Sequence, residues 1–399
     1  MVEKIRLLWK EGSQLNQIIC AVIINLPLLA YGASIGWMSP MTPVLQSSQS
    51  PRGTPLTDEE ISWMASTTYV TGVPTVFLFG YMVDKIGRKY SLLICTAQFA
   101  AHPQEIADSH IHQGARSVKT TNTTSLGRPL SCNGCMRGSV ACWTVKLLSS
   151  QVWALVIARG LVGTGMAGCF VVTPLYIKEI SDDSIRGALG TLIILSQTVG
   201  NVLLYVVGDL LSYHATLWFC LSLPIVHLCL SFILPETPSY LIRQGKTEQT
   251  VRTLAWLRCR RESDPAIARE MDLMKKELEQ DEENQQFALK SILKDKILFR
   301  AFKITMVLCL AREVCGTIPV LNFASDIFRM ASDGGSALPL TPNQQAIMLG
   351  LVQVTGSALA SSVVEKAGRK VYIEQRQLFN PFNISLRSCP HYEIKFARK

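Results

Sequence analysis

Long apolar runs alternate with short polar stretches along this 399-residue chain. A bilayer crossing needs about 20 mostly apolar residues. Seven segments meet or approach that length: Ile18–Trp37, Ile61–Met82, Val152–Tyr176, Leu189–Leu211, Leu217–Leu234, Phe302–Phe323 and Ala346–Val364. An eighth, Tyr90–Ala101, stops after about half a crossing. Trp37, Trp63, Trp153 and Trp218 stand near the ends of these runs, where aromatic side chains anchor a helix at the membrane interface. The pattern predicts an all-α polytopic membrane protein.

Charge sharpens this picture. Only 17% of residues are charged, and they bunch between the apolar runs. The formal net charge of +9 is therefore read as Lys and Arg held on the cytoplasmic side, and a nucleic-acid partner is not expected. Lys4, Arg6 and Lys10 precede the first span, and Lys85, Arg88 and Lys89 follow the second, whereas the loop between those spans carries only Arg52. The segment from Arg243 to Arg300 is again basic. These counts place the N-terminus in the cytoplasm.

Both basic loops can be cytoplasmic only if an even number of spans separates them, so Tyr90–Ala101 has to cross despite its length. Residues 102–148, with Arg116, Lys119, Arg128, Arg137 and Lys146, then fall on the side where positive charge is disfavoured. Residues 371–399 are also polar where another span would be natural. Both stretches read as foreign to the surrounding fold; the alternative is a tolerated luminal loop and a cytoplasmic tail.

The second span ends in GYMVDKIGRK (80–89) and the last in VVEKAGRK (363–370). Each places an acid, Lys, a spacer, Gly, Arg and Lys at a helix exit: Asp84, Lys85, Gly87, Arg88 and Lys89, with Gly80 upstream, and Glu365, Lys366, Gly368, Arg369 and Lys370. Two copies at matching topological positions are what duplicated halves predict.

These strings resemble the major facilitator superfamily and, within it, the sugar porter family. PLYIKEISDDSIRGALG resembles the family signature after the fourth helix at Pro174, Tyr176, Glu179, Arg186, Gly187 and Gly190. PETPSYLIRQGK resembles the signature after the sixth at Pro235, Glu236, Thr237, Pro238, Leu241 and Gly245, and Arg159 and Gly160 match the Arg-Gly pair of the fourth helix. The chain is similar to facilitated trehalose transporters and related sugar porters of insects. The resemblance implies a major facilitator fold, here incomplete, with about seven to eight of the family's twelve helices. Its expected parts are a six-helix bundle over 1–234 with a third helix disrupted at 102–148, a cytoplasmic helical linker over 235–301, a partial second bundle of two helices over 302–370, and the polar tail.

Alternating access needs two bundles that separate and re-close. The resemblance implies a lock of charges at the cytoplasmic face, with Arg88, Lys89, Arg369 and Lys370 reaching Glu179 and Glu236, Arg186 adding a donor, and Asp84 and Glu365 meeting arginines or helix N-termini. Gly160, Gly163, Gly165 and Gly168 read as close-packing positions.

A solute site is expected near the bilayer midplane. Gln197 and Asn201 lie roughly 12 and 18 Å along the Leu189 span, and share one helix face with Ile194. Gln353 lies about 18 Å from Glu365, and Arg312 and Glu313 lie about 15 Å into the Phe302 span. Amides suit sugar hydroxyls because each offers both donor and acceptor; the other use of such groups is an interhelical hydrogen bond. By resemblance, Gln353 falls where glucose-type porters carry an amide, and their fifth-helix glutamine falls on Ile194. Their seventh-helix glutamine pair and asparagine fall on Arg312, Glu313 and Ile318, and Asn322 stands where an aromatic is expected. Proton-coupled members carry an acid in the first helix; Ile18–Trp37 has none, with Asn25 its one strongly polar residue, which favours facilitated movement.

Other chemistry is not expected. Cys132, Cys135 and Cys142 lack the second well-spaced pair of a zinc site, so no metal is assigned. There is no nucleophile–base arrangement and no phosphate loop, so neither an enzyme nor a cofactor site is read. The expected function is facilitated movement of a hexose or disaccharide across the lipid bilayer, most naturally the plasma membrane; the rival is a membrane protein that does not transport.

Overall fold

A computed structural model describes residues 13–48, 50, 53–98, 151–285, 295–314, 316–333 and 340–367; among these every regular element is an α-helix. The polar stretch 102–148, the tail 371–399, and Gly368, Arg369 and Lys370 lie outside the described residues, as do the side chains of Arg312, Glu313 and Glu365.

Leu15–Gly36 (α1) and Met38–Leu45 (α2) make one long apolar rod. Trp37, at its joint, keeps right-handed helical dihedrals (φ −60°, ψ −33°), so the first span runs on to Leu45 instead of stopping at Trp37. Pro40 falls in the first turn of α2, where a missing N–H is tolerated. Asp58–Ile86 (α3) opens with a capping box. The Thr57 N–H donates to Glu60 Oε2 (2.9 Å), and the Glu60 N–H donates to Thr57 Oγ1 (3.3 Å). Asp58, Glu59 and Glu60 in its first turn also complement the helix dipole. Gly87, at φ +93°, ends α3 and turns the chain into Arg88–Gln98 (α4).

Val152–Ile180 (α5), Asp183–Leu210 (α6) and Tyr213–Leu230 (α7) complete the first half. Pro238–Arg243 (α8), Thr247–Leu257 (α9) and Pro265–Gln285 (α10) lie in the segment that the sequence predicts to be the linker, and that name is kept for it. Then come Lys296–Val314 (α11), Thr317–Asn322 (α12), Ala324–Asp333 (α13) and Pro342–Ala367 (α14). Among the described residues, Leu15–Leu45, α5, α6 and α7 are both long and apolar enough to cross a bilayer. Helix α3 has the length, but its Ser and Thr residues dilute its apolar character.

The expected single helix over Phe302–Phe323 is corrected. Helix α11 ends at Val314, Gly316 adopts a left-handed conformation (φ +68°), and α12 begins anew at Thr317. The left-handed turn at Gly316 interrupts the helix, a conformation that glycine adopts without a Cβ penalty.

Close helix contacts pack the first half. A Cβ at Gly163 would lie 1.9 Å from the Thr68 carbonyl oxygen, so α3 and α5 touch backbone to backbone. Thr68 and Thr71 hydroxyls donate across this contact to the carbonyls of Arg159 (3.1 Å) and Gly160 (2.8 Å). A Cβ at Gly168 would overlap Cys95 Sγ, which seats α4 on α5. Helices α1 and α6 meet equally closely, since a Cβ at Gly32 would come within 2.0 Å of the Gln197 carbonyl and one at Gly200 within 2.2 Å of the Leu29 carbonyl.

The two halves meet across several described contacts. Away from the basic loops, Ser39 of α2 touches Ser325 of α13, and the Tyr205 hydroxyl of α6 donates to the Leu321 carbonyl of α12 (2.7 Å). A Cβ at Gly350 of α14 would press on Val202 and Tyr205 of α6. Added Cβ atoms at Gly190 of α6 and Gly356 of α14 meet nothing within 4 Å. Helix α11 leaves Phe302, Val307, Leu310 and Val314 exposed.

Candidate functional site

At the basic end, Arg88 organises a buried node. Its Nε donates to Glu179 Oε1 (3.0 Å) and its NH2 lies 2.9 Å from the same oxygen, while NH1 donates to the Val83 carbonyl (3.1 Å). Asp84 sits at the rim, 3.5 Å from Arg88 and 3.7 Å from Arg243. Glu236 plays a different part. Its Oε1 accepts from the backbone N–H groups of Arg88 (3.0 Å), Lys89 (3.1 Å) and Thr237 (3.0 Å), so it caps the N-terminus of α4. Gly87 permits this approach, because a Cβ there would stand 2.6 Å from Glu236 Oε2. Burial pushes the Glu236 carboxyl above its ordinary range, with the three N–H donors and Arg88 pulling it back. The Tyr240 ring packs 5.8 Å from the Arg88 guanidinium and its hydroxyl donates to the Lys85 carbonyl (3.2 Å); the Tyr176 hydroxyl donates to the Pro235 carbonyl. Lys85 lies over the Tyr81 ring at 5.7 Å.

Other expected motif residues sit elsewhere. Arg186 pairs with Asp183 (2.6 Å) and donates to the Ser181 carbonyl, so it stands outside the node. Arg159 lies near the far end of α5 from Glu179, about 30 Å away along the helix axis. It is buried there and donates to the carbonyls of Met64 (3.1 Å) and Ser34 (2.8 Å), tying α1, α3 and α5 together. Gly80 and Gly187 are exposed, and an added Cβ at Gly80 meets nothing.

A second charged contact was not read from the sequence. Arg258 of α9 pairs with Asp182 (3.0 Å) and Glu270 (2.6 Å) and donates to the Ile180 carbonyl (2.9 Å). The Gln17 side chain of α1 exchanges two hydrogen bonds with Asp182, donating to its carboxylate and accepting from its backbone N–H, and Asn16 donates to the Trp256 carbonyl. The linker is thereby docked on the first half. A cavity of about 220 Å³ beside this dock is lined by Asp182, Arg258, Arg260 and Glu270, apart from the mid-depth polar residues.

Midway along α6, Gln197 and Asn201 hold buried amide atoms without a hydrogen-bond partner: Oε1 of Gln197 and both Oδ1 and Nδ2 of Asn201. Gln353 of α14 and Asn322 of α12 have the same property at Oε1 and Oδ1. Gly350 packs against Val202 and Tyr205 on an antiparallel neighbour, so Gln353, one turn on, stands at about the depth of Asn201. Ile194, one turn from Gln197 towards the basic end, is 42% exposed. Buried amides ordinarily find partners, and these four have unmet hydrogen-bonding capacity.

The family model described as "Sugar (and other) transporter" matches residues 121–373, more than half of the chain, and the chain belongs to that family of multi-pass membrane transporters. It is 24% identical over 359 residues to the mouse (Mus musculus) solute carrier family 2, facilitated glucose transporter member 8, covering 90% of this chain and 62% of that protein. It is 21% identical to the facilitated trehalose transporter Tret1 of Culex quinquefasciatus, covering 90% of this chain and 60% of the relative. The chain thus spans about three fifths of the length of these relatives. The fold is similar to the partially occluded inward-open xylose transporter XylE of E. coli, with a TM-score of 0.59 at 20% identity over 89% of this chain and 74% of that one. It is also similar to XylE bound to 6-bromo-6-deoxy-D-glucose (TM-score 0.61, 18% identity, 89% and 70% covered). The architecture is a major facilitator fold, and the chain covers about seven tenths of the solved one.

Proposed function

We propose that the chain carries a neutral sugar, a hexose or disaccharide, by facilitated alternating access in the plasma membrane, with the basic end in the cytoplasm. The observation that carries this reading is the set of unpartnered buried amide atoms of Gln197, Asn201, Asn322 and Gln353. Each can both donate to and accept from a sugar hydroxyl, and none brings a charge that would need neutralising. Ile194 adds an exposed apolar edge. Uniport is supported by α1, whose residues include no Asp, Glu or His to carry a proton. The facilitated glucose and trehalose carriers among the relatives support the same class.

The test is uptake of radiolabelled D-glucose and trehalose into liposomes containing the purified chain. Saturable uptake unaffected by a pH gradient is expected, and Gln353→Leu should raise KM about tenfold, the loss of one to two hydrogen bonds. Accumulation driven by a proton gradient would overturn uniport. Failure of the folded chain to move any neutral sugar would favour a membrane protein that does not transport.

A further inference from the structure

Twice along the chain two basic residues stand three and two places before a serine: Arg88 and Lys89 before Ser91, and Arg260 and Arg261 before Ser263. The fold treats the two copies differently. Ser91 is buried in the first turn of α4, where its hydroxyl donates to the Gly87 carbonyl (2.7 Å) and Arg88 is held by Glu179. Ser263 is exposed in the turn between α9 and α10. The Asp264 N–H closes that turn on the Arg261 carbonyl (3.1 Å), and Pro265 then begins α10. Arg260 pairs with Asp264 (2.8 Å) near the surface, a contact of the kind that holds weakly.

We propose that Ser263 is a phosphorylation site for a protein kinase that selects its substrates by basic residues ahead of the acceptor. Such enzymes discriminate by charge pattern. An acidic groove takes Arg260 and Arg261 while the serine enters the catalytic cleft, which an exposed turn permits and a buried helix does not. In the transfer, Ser263 Oγ bonds to the γ-phosphorus of a nucleoside triphosphate and the bond from that phosphorus to its bridging oxygen breaks. The nucleoside diphosphate leaves, and the hydroxyl proton passes to the kinase's carboxylate base. The proposal depends on the cytoplasmic placement of the basic end, the side that holds nucleoside triphosphates, and not on the sugar.

The product sets about two negative charges and three acceptor oxygens close to Arg260. Arg260 lines the same cavity as Arg258, Asp182 and Glu270, and Arg258 fastens the linker to the first half through Asp182 (3.0 Å). A phosphate on Ser263 competes with Asp264 for Arg260, so the new charge arrives at the edge of that dock. Asp264 keeps its other duty, because its Oδ1 accepts the Ala266 N–H (2.8 Å) at the start of α10.

The test uses the full chain in nanodiscs, with both faces open, incubated with the catalytic subunit of cyclic-AMP-dependent protein kinase and ATP. Phosphopeptide mapping by mass spectrometry should find phosphate on Ser263 and none on Ser91. Arg260→Gln/Arg261→Gln should lower the initial rate at Ser263 by about tenfold or more, the loss of charge-assisted contacts to the kinase. A synthetic peptide of residues 256–268 with the same changes gives that comparison without any demand on folding. Absence of phosphate on Ser263 in the folded chain overturns the proposal, and so does labelling that ignores the two arginines in both chain and peptide. Sealed vesicles then test orientation, since kinase and ATP added outside should label inside-out vesicles alone. Labelling confined to right-side-out vesicles would overturn the cytosolic modification together with the placement of the basic end. Sugar uptake enters no arm, so a chain that moves no sugar still gives a readable result.

Discussion

The basic end of the first half and the surface where the two halves meet are built from different chemistry. At the first, Arg88, Glu179 and Glu236 bring charge to a largely buried position with Asp84 at its exposed rim, and Arg258 repeats the device where the linker docks. At the second, serine hydroxyls, an amide and a tyrosine hydroxyl make the connections. Breaking a buried ion pair leaves an uncompensated charge and costs about 3–5 kcal/mol, whereas a neutral hydrogen bond contributes about 1 kcal/mol net. The charged network therefore suits a body that stays whole, and the neutral contacts suit one that opens. In this arrangement the signature charges brace helices α3, α4 and α5 and the linker to one another, within a single half.

The largest expected effect comes from removing the centre of that brace. Arg88→Ala leaves Glu179 without its partner and should lower stability by about 3 kcal/mol or more. Thermal unfolding in detergent, followed by circular dichroism, reads this directly. A loss below about 1 kcal/mol would place the node among ordinary surface pairs and erase the contrast between the two regions.

Next comes a neutral contact inside the rigid half, set against an uncrowded position on α14. Gly32→Ala puts a Cβ on the Gln197 carbonyl, which belongs to backbone and cannot swing aside, so α1 and α6 must separate at a cost of about 1–3 kcal/mol. Gly356→Ala meets empty space within α14 and should be neutral or stabilising by up to about 1 kcal/mol. Equal losses in the two variants, measured as the same unfolding midpoints, would contradict the difference in crowding between these two glycines.

How much of this was legible in the sequence follows from the same chemistry. Asp84, Arg88, Glu179 and Glu236 stand out because charge is rare in an apolar chain and theirs recurs at helix exits. Their division of labour was not legible, since the capping role of Glu236 depends on how the loop before Pro238 folds back on α4. The dock that joins Arg258 to Asp182 also joins Asp182 to Gln17, 165 positions away, and no local period marks such a pairing. Ser39, Ser325 and Asn343 are short neutral residues with no pattern of their own. The break falls at Gly316, whose left-handed turn an apolar count over Phe302–Phe323 does not register. The amides Gln197, Asn201 and Gln353 stood out because polar groups at mid-depth in apolar runs are costly unless used, whereas Asn322 was marked only by the resemblance.

The smallest effect separates two members of the charged region from each other. Glu179 serves as the partner of a guanidinium, whereas Glu236 serves as a helix cap whose three donors are backbone N–H groups. Burial holds the Glu236 carboxyl above the ordinary carboxylate range in the folded protein, so the folded state keeps that proton longer than the unfolded state does. Its contribution to stability is therefore present below the ordinary range and declines as pH rises through the raised folded value. In Glu236→Gln the amide carbonyl still accepts the N–H groups of Arg88, Lys89 and Thr237 while nothing titrates. The unfolding midpoint of the unaltered chain should fall by about 1–3 °C across that window, and the variant should lose that part of the slope. Glu179→Gln should instead lower the midpoint outright, because Arg88 loses its charge partner. Matching slopes in Glu236→Gln and the unaltered chain would mean that the cap does not titrate in folding, and the two carboxylates would then share one role.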